Sequence, residues 1–255
     1  MIENKNCLDY LSTLENESVD LILTDPPYFI GFDGGKGWDS QWNTEEEYLA
    51  WCKSWTDECV RVLKPNRMLV VWGTLKTDTF LRYKLNILNT YDNMHGQNEI
   101  IWGYNWGGRA KTNFARKHEY AWCYSKGKDF LFNDHDIRVE RKVKKNLRTG
   151  KEYAQGTIPT CIWEKNNHTT SKDYIGWHPT TKNIDILERI IRAYSNEEDV
   201  VLDIFSGSGS TGVASLRCNR NFSGCEIDPE YYEKSLIRMN ESIGLIKFAE
   251  RAVNV

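Results

Sequence analysis

The stretch Val19-Asp20-Leu21-Ile22-Leu23-Thr24-Asp25-Pro26-Pro27-Tyr28 constrains this chain more than any other. A short apolar run with β-branched members reads as a buried strand. Proline has no N–H to give to a ladder, so the strand must stop at Pro26. Asp25 is thereby placed at the carboxyl end of a strand, where open α/β sheets bind ligands. Two consecutive prolines fix the backbone and leave a rigid cluster of acceptors, the Asp25 carboxylate and the Pro26 carbonyl, with the aromatic face of Tyr28 beside it. Such a cluster suits a planar ring bearing an exocyclic NH2: two N–H donors meet two acceptors, and the ring stacks on Tyr28. The competing reading of these residues is a strand-to-turn junction closed by a capping Asp.

The remaining strands and helices follow from the same kind of signal. Residues 1–18 read as a strand end and a helix with Leu8, Leu11 and Leu14 at helical spacing, which puts Asn6 at the carboxyl edge of the sheet. Thr44 and Glu47 have capping-box spacing and open a helix whose apolar face is Trp51, Trp55, Cys59 and Val62-Leu63. Met68–Trp72 is a second buried strand, and 77–89 is helical. Residues 99–102 and 120–124 read as two further strands forming an antiparallel edge. Residues 152–176 look irregular. Helices are predicted from Ile184 to Tyr194, over 211–218 and from about 229 to 242, and strands over 200–205 and 222–227. Residues 29–43, glycine-rich with Phe32, Trp38 and Trp42, read as a long loop that is either a lid over Asp25 or a disordered connection.

A chain of 255 residues is long enough for one large α/β domain, with or without an insertion. No run of 18 apolar residues exists, so no membrane span is expected. The seven cysteines are scattered and none has C-x-x-C spacing, which argues against zinc and for reduced core thiols in a cytoplasm. Net charge is −3, so any nucleic-acid affinity must be local. Residues 107–151 hold thirteen Lys/Arg against five Asp/Glu, a local balance of +8. The basic side chains are interleaved with Asn113, Phe114, His118 and Tyr120. The run is either a solvated face or a surface for phosphates.

Val200–Phe205 runs into Ser206-Gly207-Ser208-Gly209-Ser210-Thr211-Gly212, a tight turn opening a helix, and Glu226 ends the next strand. The spacing of Gly207, Gly209 and Gly212 matches the dinucleotide fingerprint, which makes a hydride-transfer enzyme using NAD a rival reading. Asp203, just ahead of the turn, would crowd a pyrophosphate, and only one strand follows the turn. S-adenosylmethionine fits better. It offers a ribose diol to Glu226, a cationic tail to Asp203, and no phosphates.

With these motifs in hand, the chain resembles the β group of DNA adenine N6-methyltransferases, in which a D-P-P-Y motif precedes the target-recognition region and then the cofactor turn. The resemblance covers nearly the whole chain. It implies an α/β, Rossmann-like fold with a mostly parallel sheet, an antiparallel edge strand and a circularly permuted motif order. It implies a single catalytic domain over 1–255 with a DNA-contact segment of about 107–176 inserted. Asp25, Pro26, Pro27 and Tyr28 then resemble the catalytic motif. Asp203, Phe205, Ser206, Gly207, Ser208 and Gly209 resemble the cofactor loop, and Glu226 with Ile227 the ribose-binding strand end. His178, Pro179, Thr180 and Lys182 resemble H-P-T-x-K at the methionine end. Asn6, where the family commonly has Asp, and Cys7 lie where the cofactor's adenine is expected, and Asn183 replaces a common proline. Arg109, Lys111, Asn113, Arg116, Lys117, His118, Arg141, Lys142, Lys144, Lys145 and Arg148 are implied DNA contacts.

The implied reaction is methyl transfer from S-adenosylmethionine to adenine N6 of a flipped base in double-stranded DNA. N4-cytosine transfer competes, although family members acting on cytosine more often have Ser in place of Asp25. A non-enzymatic DNA-binding module would leave Asp25–Tyr28 without a purpose. The resemblance further suggests a homodimer and leaves open whether a cognate restriction endonuclease exists, while the cysteine pattern points to a cytoplasmic setting and no metal.

Overall fold

The computed structural model describes residues 1–104, 110–141, 143–146, 148–153, 156–164 and 174–253, with side chains described up to residue 244. Its strands are β1 (Ile2–Asn4), β2 (Val19–Thr24), β3 (Leu63–Gly73), β4 (Met94–Gly103), β5 (His118–Lys126), β6 (Ile162–Glu164), β7 (Val200–Asp203) and β8 (Asn221–Glu226). They form one sheet in the order β1-β8-β7-β2-β3-β5-β4-β6. β2 lies parallel to both β7 and β3, and β5 runs antiparallel to both of its neighbours. All six residues of β2 are buried, which is why its sequence reads as a continuous apolar run and not an alternating one.

Helices cover both faces of the sheet. On one face α1 (Cys7–Leu11), α2 (Glu45–Val62) and α3 (Thr79–Asn86) contribute Leu11, Trp55, Cys59 and Phe80, packed over Ile22, Leu69, Val71 and Leu202. On the other, α4 (Ile184–Tyr194), α5 (Ser210–Arg217) and α6 (Pro229–Val253) supply Leu187, Ile190, Val213 and Met239 over Leu21, Leu23, Val70 and Val201.

The strand connections diverge at the centre of the sheet. β7 leads through α5 to β8 on one side, and β2 leads through α2 to β3 on the other. The neighbouring strands β7 and β2 are therefore the topological switch point, and their carboxyl ends open into a crevice.

Several boundaries differ from the sequence reading. Residues 152–176 contain β6, which pairs in parallel with β4 through Ile101, Trp102 and Gly103. Three residues with one buried side chain, Trp163, are too short to leave a periodic signature. β5 lies inside the sheet, with β4 and β6 beyond it, because Ala121, Trp122, Cys123 and Tyr124 are buried on both faces. The segment 107–176 is thus partly woven into the sheet through β5 and β6. The first helix ends at Leu11, leaving Leu14 in the following turn, and the last runs on to Val253. The capping box forms with a variation: Thr44 Oγ1 accepts from the Glu47 N–H, and the Glu47 carboxylate accepts from the Asn43 N–H. Asn183 caps α4 by accepting from the Ile186 N–H.

Candidate active site

A side-chain hydrogen bond spans the switch point. Thr24 Oγ1, at the end of β2, donates to Asp203 Oδ1, at the end of β7, over 2.8 Å. Asp203 also accepts from the Phe205 N–H at 3.1 Å and so shapes the turn that follows. Burial pushes its carboxyl up to about 6, against the hydroxyls of Thr211 and Thr24 and the Phe205 N–H, which favour the charged form. Gly207 and Gly209 both have positive φ, 48° and 72°. A Cβ at Gly207 would lie 2.9 Å from His178 Nε2, and one at Gly209 2.9 Å from Ser235 Cβ, so both the conformation and the space demand glycine. Glu226 holds the other side of the turn. Its Oε2 accepts from the Gly207 N–H at 2.7 Å and its Oε1 from the Asp228 N–H at 2.9 Å. Burial raises its carboxyl, opposed by those two N–H groups. His178 is pushed down to about 4 by burial and by the cations Lys182 and Arg238, so its imidazole is neutral at pH 7.

A second cluster occupies the end of β2. Lys182 Nζ donates to Asp25 Oδ2 at 2.5 Å and to the Tyr28 hydroxyl at 3.2 Å, and it pairs with Glu119 Oε2 at 3.1 Å. The Tyr28 hydroxyl in turn donates to Asp25 Oδ1. Burial lowers the Lys182 pKa, and Asp25 and Glu119 more than reverse this, leaving it raised. Burial, then Asp25 and Glu119, raise Tyr28 well above its ordinary value. Tyr28 is therefore more than a flat ring beside the acceptors: its hydroxyl holds the Asp25 carboxylate in place.

The loop after Tyr28 is built on one carboxylate. Asp39 Oδ1 accepts from the N–H groups of Tyr28 and Phe29, and Oδ2 from those of Ile30 and Phe32. Lys36 reaches α6, pairing with Glu230 at 2.5 Å and with Asp228 at 3.3 Å. Of the two readings of 29–43, the loop takes the one of a cover: Ile30, Phe32, Trp38 and Gln41 line the crevice. Together the glycine turn, the Asp25 cluster and this cover enclose a cavity of about 810 Å³.

Residues 19–237 match the family model described as DNA methylase. The chain belongs to the DNA methylase family. This DNA methylase is 33% identical to the Type II methyltransferase M.HpaI of Haemophilus parainfluenzae, over 92% of this chain and 72% of that protein. It is 31% identical to the Type II methyltransferase M1.MboII of Moraxella bovis, over 94% and 96%. It is 32% identical to the DNA adenine methyltransferase YhdJ of Escherichia coli (strain K12), over 92% and 81%. Among solved structures it shares its fold with the cytosine-N4-specific PvuII DNA methyltransferase, at a TM-score of 0.73 and 21% identity over 93% and 85% of the two chains. A second is a putative DNA modification methylase of Thermus thermophilus in complex with S-adenosyl-L-methionine, at 0.64 and 20% over 95% and 93%.

Most residues singled out in the sequence of this DNA methylase line the same cavity: Asn6, Cys7, Asp25 to Tyr28, His178 to Thr180, Lys182, Asp203, Phe205 to Ser208, Glu226 and Ile227. Gly209 sits just behind, as the left-handed cap of α5. Asn6 has a local task as well, accepting from the Leu8 N–H to cap α1. Arg116 and Lys117 also line the cavity, and Arg116 donates to the Leu75 and Lys76 carbonyls. Lys111 and Asn113 are exposed nearby in sequence, and His118 meets the Tyr120 hydroxyl at 3.1 Å. Arg141 lies over the Tyr153 ring, and Lys144, Lys145 and Arg148 are exposed on a separate hairpin-like excursion. Arg109 and Lys142 lie outside the described residues. The stretch Gly108 to Glu119 resembles the part of the family that meets DNA near the flipped base, but sequence reasoning missed the pairing of Glu119 with Lys182, 63 positions away. It also missed Asp39, whose four partners are backbone groups. Trp51, read as part of the apolar face of its helix, packs against that core and also lines the cavity, against Phe205 at 5.4 Å.

Proposed function

We propose that this protein transfers a methyl group from S-adenosylmethionine to the N6 amine of an adenine flipped out of double-stranded DNA. The observation that carries this reading is the joining, in one cavity, of the Asp203–Gly209 turn with Glu226 and the Asp25–Tyr28 cluster, across the Thr24–Asp203 bond. The residues at the turn fit the donor. Glu226 and Asp203 are acidic, which suits hydroxyls and a cation and disfavours a pyrophosphate, and so weighs against NAD. Among the described residues the Ser206 hydroxyl is buried and unpartnered on the cavity wall, ready to meet a polar ligand atom. Glu226 and Ile227 would hold the ribose and adenine end, with Asn6 and Phe205, and Asp203, His178 and Thr180 the methionine end.

S-adenosylmethionine supplies an electrophilic methyl group on a sulfonium. The protein's own part is to receive and orient the amine. An exocyclic amine conjugated with its ring is a poor nucleophile. The Asp25 carboxylate and Pro26 carbonyl accept its N–H groups and favour the more pyramidal nitrogen of the transition state. Lys182 and Tyr28 fix the carboxylate, so little reorganisation accompanies reaction. After transfer, Asp25 is an acceptor within the cavity for the proton that the nitrogen sheds.

Base flipping costs a few kcal/mol, and stacking on Tyr28 returns about 1–3 kcal/mol by analogy with other aromatic–base contacts. The exposed Lys144, Lys145 and Arg148, with Lys111, Asn113 and Arg116, supply phosphate and base contacts within the segment 107–176. The resemblance to adenine enzymes and the presence of Asp25 favour adenine over cytosine N4. The proposal extends to a homodimer, a cognate endonuclease and a cytoplasmic setting; among the described residues no helix is long and apolar enough to cross a membrane.

Duplex DNA incubated with methyl-labelled S-adenosylmethionine and digested to nucleosides tests the reading. Label is expected in N6-methyldeoxyadenosine. Label in N4-methyldeoxycytidine would transfer the proposal to the other amine, and unlabelled DNA would overturn it.

A further inference from the structure

Lys182 sets an electrostatic problem that the mechanism does not solve. Its ammonium is 2.5 Å from the Asp25 carboxylate, at the point where the proposed reaction builds positive charge. As the N6 lone pair forms the N–C bond and the C–S bond breaks, the donor's positive charge passes to the nitrogen. The nitrogen then sheds a proton. A buried ammonium paired only with Asp25 would cancel the negative charge that this nitrogen needs. Lys182 is 6% exposed, so solvent does little to screen it.

Glu119 changes the balance. It lies on β5, lines the cavity, and brings Oε2 to 3.1 Å from Lys182 Nζ. Two carboxylates and one ammonium leave the cluster with one net negative charge. Without Glu119, the pair is neutral. We propose that Glu119 is a positioning residue that offsets the charge of Lys182, so that Asp25 meets the amine as an effective anion. Lys182 can then fix Asp25 without opposing the reaction. This rests on the methyl transfer proposed above.

The test combines transfer rates with ligand affinities. Glu119→Gln, Glu119→Asp, Lys182→Met and the double variant Glu119→Gln/Lys182→Met are compared in single-turnover methylation of duplex DNA. Calorimetry on the same proteins measures affinity for S-adenosylmethionine, which is cationic at sulfur, and for its demethylated product, which is not. Glu119→Gln is expected to slow transfer about 10- to 100-fold with DNA affinity within about twofold, and to lower the affinity ratio of donor to product about threefold or more. Glu119→Asp restores most of the rate. In the Lys182→Met background, the same change costs less in rate, since no cation opposes Asp25 there, whereas the affinity ratio still falls with the loss of the Glu119 charge.

Wild-type transfer by Glu119→Gln would overturn the proposal, as would an equal loss with and without Lys182. If Lys182→Met transfers too slowly to measure, the affinity ratio decides, and a ratio unmoved by Glu119→Gln overturns the proposal. Failure of the wild type to methylate DNA would instead sink the proposed function, and the affinity ratio would still read the charge of Glu119.

Discussion

Replacing Asp203 by Asn is expected to stabilise the free protein and to do so only above acid pH. Asp203 is 2% exposed, and its carboxyl is pushed up to about 6 from an ordinary 3.8, chiefly by burial. An acid whose folded-state pKa is raised takes up protons on folding. Its ionisation therefore weakens the fold as pH rises from about 4 to about 6, and the deficit persists above that. The shift corresponds to about 3 kcal/mol at pH 7. Asn keeps an oxygen for the Thr24 hydroxyl and the Phe205 N–H but sets an amide against Thr211, so a net gain of about 1–3 kcal/mol is expected. Urea unfolding of both proteins between pH 4 and pH 8, without ligand, gives the difference curve. The gain should be smallest at pH 4 and level off above about pH 7. Taking the difference cancels groups of opposite behaviour, such as Glu230, held down to about 2 by Lys234 and Lys36, whose contribution is lost as pH falls. A gain that does not change with pH, or one that shrinks as pH rises, would refute the assignment of the cost to a buried charge.

Other expectations follow from the same contacts. Tyr28→Phe removes the donor to Asp25 Oδ1, a charge-assisted bond of about 1.5–3 kcal/mol, and should slow single-turnover transfer about 10- to 100-fold. Tyr28→Ala should be slower still, and a Phe variant with full rate would show the hydroxyl idle. Glu226→Ala should weaken S-adenosylmethionine binding about 10-fold or more by calorimetry with DNA affinity unchanged, because both of its oxygens shape the glycine turn. Replacing Lys144 and Lys145 together by Ala should lower DNA affinity and reduce the slope of log K against log salt by roughly 2; an unchanged slope returns them to a solvated face.

What the sequence disclosed was what local chemistry encodes. Pro26 ends β2, Thr44 and Glu47 cap α2, and Gly207 and Gly209 mark a turn that no other residue could take. Each signal spans a few residues. β6 escaped because three residues carry no period, and its pairing with β4 is decided by the sheet. Glu119 escaped because its meaning is the charge of Lys182, and Lys182 is far away in the chain. Asp39 reads as one more polar loop residue until four N–H groups converge on it. Periodicity reports which side of α2 is covered and not what covers it, so its aromatic face reads as core; Trp51 sits where core and cavity wall meet.

The bond between Thr24 and Asp203 joins residues 179 positions apart. During synthesis the Asp25 motif leaves the ribosome long before its partner strand exists. β2 can pair early with β3, but its other edge waits for β7, which is made only after about four-fifths of the chain. Non-local parallel pairing is slow, and an unpaired apolar edge invites association with other chains. The cavity between the two strand ends is thus among the last parts to be assembled, and an incomplete chain carries Asp25–Tyr28 without the glycine turn that faces it.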